Sequence, residues 1–203
     1  MILYGAPNPA PNPRRVRIFL AEKGIDLPET VVDMRARAHK APDFLQKNPE
    51  GQLPVLELAD GRFLSESVAI CRFLDALNPQ PPLFGADAFA AAEIDMWIRR
   101  VEFQVTSPVA MFWRHAHPYT ASLLTQFTDF GESNRANTER ALLWLDAQLQ
   151  GRDYLAGDAF SMADICALTT VDFSAFVGLA LPDPASALKA WHARVSARPS
   201  AQA

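Results

Sequence analysis

Two short stretches of the chain combine residue types and spacing that suit a ligand carrying both a carboxylate and an ammonium. The first is Gln52-Leu53-Pro54-Val55-Leu56, a largely apolar, β-rich run with Leu53-Pro54 at the start of its strand. Proline is tolerated there because the start of a strand does not need its ladder N–H. The second is Glu66-Ser67, placed by the pattern around it in the first turn of a helix. A helix N-terminus offers unpaired N–H donors and a partial positive charge, which favour a carboxylate. Ser67 can add a hydroxyl, and Glu66 can face an ammonium. Each stretch has a plainer explanation when taken alone. Pro54 could mark an edge strand, Ser65 or Ser67 could simply cap a helix, and Glu66 could be a favourable first-turn acid. Together on adjoining elements, the two favour a site.

Other residues able to do chemistry read differently. Cys71 and Cys166 lie in apolar runs, Val68-Ala69-Ile70-Cys71 and Ala163-Asp164-Ile165-Cys166. Neither has CxxC spacing or a histidine pattern, so both are expected to be buried, inert thiols. Neither a disulfide framework nor a zinc or other metal site is indicated. Arg14-Arg15-Val16-Arg17 is a basic cluster compatible with a small anionic ligand. The overall charge of -4 argues against nucleic acid as the main partner. No apolar run reaches the roughly 18 residues of a membrane span, and Met1-Ile2-Leu3-Tyr4 does not read as a signal peptide. A cytoplasmic protein is expected.

The elements that must position these residues follow from periodicity. Ile2-Leu3-Tyr4 reads as a strand ended by Gly5. Pro13 to Lys23 carries Val16, Phe19 and Leu20 at helical spacing, with Gly24 as its C-cap. Strands follow at Glu29–Asp33, Leu53–Leu58 and, after the Asp60-Gly61 turn, Arg62–Leu64. A helix then runs from about Ser65 to Leu77. The order β-α-β, a connection holding a short helix, then β-β-α gives a small mixed sheet with helices on its faces. This domain is expected over residues 1–78. The prolines of Asn78-Pro79-Gln80-Pro81-Pro82 open a linker expected over 79–88. From 89 to 203 the pattern is all-α. Ile94, Trp97, Ile98 and Val101 form one amphipathic stripe, and Leu142, Leu145 and Leu149 form another within Ala136–Leu149. Ser161-Met162-Ala163-Asp164 reads as a capping box with Asp in place of the usual Glu, flanked by Phe160 and Ile165 as a hydrophobic staple.

Asn48-Pro49-Glu50-Gly51-Gln52-Leu53-Pro54-Val55-Leu56, followed by Leu64-Ser65-Glu66-Ser67-Val68-Ala69-Ile70, resembles the glutathione-site signature of the cytosolic glutathione transferases. The resemblance continues through Trp97, Arg99-Arg100 and the Phe160-Ser161-x-x-Asp164 helix start. It implies an α/β thioredoxin-like N-terminal domain, an all-α helical bundle behind it, a homodimer, and glutathione as co-substrate with no further cofactor. It also implies a cis bond before Pro54, with the main chain of Leu53 pairing to the cysteinyl part of glutathione. The γ-glutamyl group would fall to Glu66 and Ser67. The glycyl carboxylate would fall to Gln52 and to His39 or Lys40, between which the sequence does not choose.

Conjugation requires the glutathione thiol as thiolate near pH 7, below the ordinary thiol pKa of about 8.5. The resemblance places a serine or cysteine donor where this chain has Ala10, which can donate nothing from its side chain. Asn12, two residues on, is the expected substitute, and Asn12-Pro13 equally suits an N-cap followed by a first-turn proline. Tyr4 is a second donor, more readily explained as a core aromatic. Phe112, Trp113 and His115, in the run Met111–His115, could line a pocket for a hydrophobic electrophile or could be ordinary helix packing. Arg99, Arg100 and Glu102 could serve a dimer interface or an ion pair between domains. Three functions follow: conjugation of glutathione to hydrophobic electrophiles, glutathione-dependent disulfide or peroxide reduction, and non-catalytic glutathione or ligand binding.

Overall fold

The computed structural model describes all 203 residues. It packs as two units, Met1–Leu83 together with Pro199–Ala203, and Phe84–Arg198. The last five residues thus join the first unit, although the sequence pattern assigns 89–203 as one all-α region. No helix is long and apolar enough to cross a membrane.

In the first unit, β1 (Ile2–Gly5), α1 (Pro11–Lys23), β2 (Glu29–Val31), α2 (Pro42–Leu45), β3 (Val55–Glu57), β4 (Phe63–Ser65) and α3 (Ser67–Leu77) follow one another, with a 3₁₀ turn at Ala38–Lys40. The sheet order is β2-β1-β3-β4. β1 and β2 are parallel, while β3 is antiparallel to β1 and to β4. The strands are shorter than expected at β2 and β3, and β4 is displaced by one residue toward α3. The thioredoxin-like arrangement is present. Its core gathers Leu3, Val16, Ile18, Phe19, Val55, Leu56, Ile70 and Leu74, each at most 0% exposed. Cys71 lies among them, buried and in no disulfide, as expected.

Lys23 closes this unit. Its ammonium pairs with Asp75 at 2.5 Å and donates to the Asn78 carbonyl at 2.8 Å and to that of Pro81, with its side chain wholly buried. The last turn of α1 thereby holds the end of α3 and the proline-rich segment that follows.

The second unit is helical: α4 (Ala88–Arg100), a π-helical stretch at Val101–Thr106, α5 (Ser107–His115), a 3₁₀ turn at Pro118–Thr120, α6 (Thr128–Leu149), α7 (Met162–Phe176) and α8 (Ser186–Ser196). α6 begins eight residues before the expected Ala136, because the polar first half of that helix carries little apolar periodicity. The π-helical stretch is likewise invisible to a 3.6-residue pattern. The Ser161–Asp164 motif starts α7 as expected. The Ser161 N–H donates to the Asp164 carboxylate at 3.0 Å, which also accepts from the Leu155 N–H at 3.0 Å and the Trp191 indole at 2.9 Å. Burial pushes the Asp164 carboxyl above the ordinary carboxylate range, opposed by these hydrogen bonds.

Candidate glutathione site

Strand directions bring the expected site residues of the first unit to one end of the sheet. β1 runs toward that end and leads through Ala6–Ala10 into the first turn of α1. β2, parallel to β1, leads from the same end toward His39 and Lys40. β3 starts there, just after Leu53-Pro54, and β4 ends there, just before Glu66-Ser67. The β3–β4 register pairs Val55 with Ser65, so Leu53-Pro54 enters and Glu66-Ser67 leaves the sheet at the same end.

The Leu53-Pro54 bond is cis. The side chain of Leu53 packs beside Phe44 and Val55, whereas its N–H and C=O make no hydrogen bond within the chain. An uncommitted main-chain donor and acceptor beside a strand can receive the backbone of an extended ligand. Ser67 is the first residue of α3 and 4% exposed, and its hydroxyl has no partner in the chain. Helix α3 begins after Glu66, so Ser65 is not the cap. Glu66 precedes the helix at φ 69°, one of two non-glycine residues with positive φ. Backbone strain of this kind clusters at functional sites. Nothing in the sequence announces it, since glutamate is an unfavourable residue for that conformation.

The 3₁₀ turn carrying His39 and Lys40 packs onto Gly51. A side chain at Gly51, where φ is 55°, would meet the His39 carbonyl at 2.7 Å and Lys40 Cδ at 2.8 Å. Lys40 Nζ donates to the Glu50 carbonyl at 2.8 Å, which holds the ammonium at the Glu50-Gly51 turn. Gln52 is exposed. His39 differs, because its Nδ1 is buried without a partner. Burial, followed by the charges of Lys40 and Arg37, lowers its pKa below the ordinary histidine value.

Helix α1 starts at Pro11, two residues earlier than expected, with Ala10 as its N-cap and no side-chain cap bond. Asn12 is therefore inside the first turn and is not an N-cap, which corrects the capping alternative. Pro11 and Pro13 have no N–H to give, and the Arg14 N–H is bonded to the Ala10 carbonyl at 3.3 Å. Asn12 thus carries the one uncommitted main-chain N–H among the first four residues of α1, and its exposed carboxamide makes no hydrogen bond within the chain. Tyr4 is withdrawn from the site. Its hydroxyl donates to Glu57 Oε2 at 2.6 Å, and that bond is the main reason its pKa is raised.

The basic cluster is not a ligand site. Arg14 donates to the Ala201 carbonyl at 2.8 Å, and Arg15 is 2% exposed. Arg17 binds the Ala6 carbonyl, Glu29 and Asn8 at 3.0, 3.0 and 2.6 Å, which fixes the loop before α1. The anion reading failed because a run of arginines looks the same in sequence whether its donors face a ligand or the chain's own acceptors.

The family model for the glutathione S-transferase N-terminal domain matches residues 10–77, and that for the C-terminal domain matches residues 113–199. The chain belongs to the glutathione S-transferase family. Glutathione S-transferase 2 of Saccharomyces cerevisiae is 38% identical over 98% of this chain and 87% of its own length. Two solved structures superpose with TM-scores of 0.92. One is Gtt2 from Saccharomyces cerevisiae, 36% identical over 100% of this chain and 99% of its own. The other is a glutathione S-transferase domain-containing protein from Marinobacter aquaeolei, 35% identical over 98% and 99%. By sequence and by fold this is a glutathione transferase.

In the second unit of this transferase, Phe112 is 3% exposed and belongs to the core with Val109, Val177 and Leu179. For that residue the packing alternative describes what is found. Trp113 is half-buried and stacks on Tyr119, with ring centroids 5.4 Å apart, and meets Phe173 edge-on. His115 lies against Phe127 and Phe130. Tyr119, Phe127, Phe130 and Phe176 are each about half exposed or more, so α5 and its neighbours present a broad aromatic surface. Arg99 pairs with Glu102 at 3.1 Å, and Arg100 lies over the Trp97 ring.

Proposed function

We propose that this transferase conjugates glutathione to hydrophobic electrophiles by thiolate attack, with Asn12 as the group that holds sulfur. The observation that carries the reading is the set of uncommitted polar groups at one end of the sheet: the Leu53 main chain, the Ser67 hydroxyl and the Asn12 amides. In this reading Leu53 pairs with the cysteinyl backbone. The γ-glutamyl carboxylate takes the Ser67 hydroxyl and the N-terminal amides of α3, while Glu66 faces the ammonium. Lys40 and Gln52 take the glycyl carboxylate. Lys40 is preferred to His39 because its ammonium is held at the Gly51 turn, whereas His39 is buried at Nδ1 and disfavours its charged form.

The sulfur lies near the first turn of α1, where the Asn12 N–H and carboxamide together replace the side-chain donor that Ala10 lacks. Donors aimed at a developing anion lower its pKa by stabilising the charged form. The thiolate attacks the electrophilic carbon, a carbon–sulfur bond forms, and the leaving group departs with its electron pair. Trp113 and His115, with the aromatics around them, offer the apolar surface for the electrophile. The exposed residues Phe89, Met96 and Phe103 recur at seven-residue intervals along α4 and the π-helical stretch. A stripe of this kind supports a homodimer.

Rates with a chloronitrobenzene, a disulfide and a hydroperoxide, measured side by side with glutathione, test the function. Conjugation dominates if the reading holds. A dominant disulfide or peroxide activity replaces it with a reductase, and glutathione binding without any turnover replaces it with a binding protein.

A further inference from the structure

The second unit contains a cleft of about 150 Å³ that none of the glutathione chemistry uses. One wall is the α6 face bearing Arg135, Thr138 and Glu139, and the other is the segment 178–182 that follows α7. We propose that this cleft binds a small zwitterion of the α-amino-acid type.

Thr138 is 1% exposed, and its hydroxyl has no hydrogen-bond partner. A buried helical threonine ordinarily returns its hydroxyl to a carbonyl of the preceding turn, as Thr169 and Thr170 do on α7. Thr138 does not, so the cleft wall contains an unsatisfied polar group, a rare feature in a folded protein.

Two opposite charges flank it. The Arg135 guanidinium lies over the Phe112 ring, 4.6 Å from its centroid, and gives its Nε to Glu132 at 3.1 Å. Both terminal amino groups of Arg135 remain uncommitted within the chain. The ring contact and the bond to Glu132 hold the guanidinium in place, and its two free amino groups suit paired donation to a carboxylate. Glu139, one helical turn on, has no partner at all and does not pair with Arg135, despite the i, i+4 spacing that would permit it.

On the opposite wall Gly178 and Leu179 give their N–H groups to Ala175 and Ser174, and the main chain of Ala180 is open. Gly178, at φ 84°, leaves the space where a side chain would stand free of any atom within 4 Å. Leu179 adds apolar surface. The cleft therefore offers a planar cation, a carboxylate and the open main chain of Ala180, with the unpartnered Thr138 hydroxyl buried in its wall, around a volume that suits an aliphatic amino acid. A bare anion is disfavoured, because it would meet the Glu139 carboxylate as well as Arg135. A bare amine would leave the Arg135 donors unused.

The test is saturable perturbation of backbone amide resonances in residues 178–182 of the full-length protein, titrated with L-leucine. N-acetyl-leucine supplies the anion alone, leucine methyl ester the cation alone, and inorganic phosphate a different anion. L-leucine is expected to bind at least tenfold more tightly than any of the three. Thr138→Val and Glu139→Gln should each weaken it several-fold while leaving glutathione conjugation unchanged. Equal binding of the ester or of either anion overturns the zwitterion assignment. An absence of saturable shifts with L-leucine overturns the site. Because the readout is binding in the second unit, neither outcome depends on the conjugation reading.

Discussion

The Tyr4 hydroxyl donates to Glu57 Oε2 across the sheet at 2.6 Å, with Lys47 3.5 Å from the same carboxylate and 4.9 Å from the centre of the Tyr4 ring. This places the one tyrosine of the first unit in a structural lock on β1 and β3 and leaves thiol chemistry to other groups. Tyr4→Phe should conjugate glutathione at the parental rate while melting at a lower temperature. The hydrogen bond to Tyr4 lowers the Glu57 pKa from its ordinary 4.5. A carboxyl depressed by folding contributes stability that is present above its unfolded value and is lost as pH falls through the folded one. Acid unfolding of Tyr4→Phe should therefore show a weaker dependence on pH below about 4.5, which thermal melts across that range would reveal.

Asn12 is tested by its thiolate. In Asn12→Ala the main-chain N–H survives and the carboxamide is lost. The turnover rate should fall on the order of 10²-fold, as for removal of a positioned anion donor. The pKa of the bound glutathione thiol, followed by thiolate absorbance, should rise in parallel with little change in KM. A parental rate in this variant would remove the Asn12 side chain from the mechanism.

Glu66 and Ser67 should separate affinity from stability. Ser67→Ala removes a hydrogen bond to a charged group, worth roughly 1.5–3 kcal/mol, and should raise the glutathione KM by about ten- to a hundredfold. Glu66→Gly relieves the positive φ of 69° while discarding the carboxylate. It should melt at a higher temperature than the parent and bind glutathione more weakly. Calorimetric titration with glutathione beside thermal melts measures both.

His39 and Lys40 differ in charge at neutral pH. The His39 pKa lies below 6.5, chiefly through burial. A folded pKa depressed in this way gives stability that is present above pH 6.5 and is lost as pH falls toward the folded value. His39→Gln should flatten that loss and leave the glutathione KM nearly unchanged at pH 7. Lys40→Met should raise KM roughly tenfold, in keeping with a lost charge-assisted hydrogen bond. Stability and KM profiles between pH 5 and 8 decide between the two residues.

Asp164 joins the start of α7 to Leu155 and Trp191 through hydrogen bonds of 3.0 and 2.9 Å. Asp164→Ala leaves buried donors unpaired and should destabilise the protein by on the order of 3 kcal/mol. Chemical denaturation measures it. The glutathione KM should stay close to the parental value at temperatures where the variant is folded.

Much of the architecture was legible in the sequence because it depends on local rules. The order of strands and helices, Gly24 at the end of α1, the Asp60-Gly61 turn and the Ser161–Asp164 helix start each follow from a few neighbouring residues. The resemblance carried by Leu53-Pro54 and Glu66-Ser67 led to the family on the same basis. Whatever depended on partners distant in the chain was not legible. A tyrosine in a strand does not reveal that Glu57 will take its hydroxyl. An arginine run does not reveal that Ala6, Asn8, Glu29 and Ala201 will take its donors. The two prolines at the start of α1 are plain in the sequence, but only the folded helix shows that they leave Asn12 with the one open N–H. Sequence determined which residues could meet a ligand, because side-chain chemistry is local. Tertiary structure decided which of them remain uncommitted, because a hydroxyl or main-chain N–H already given to an acceptor in the fold is closed to a ligand, whereas an ammonium such as that of Lys40 keeps further donors.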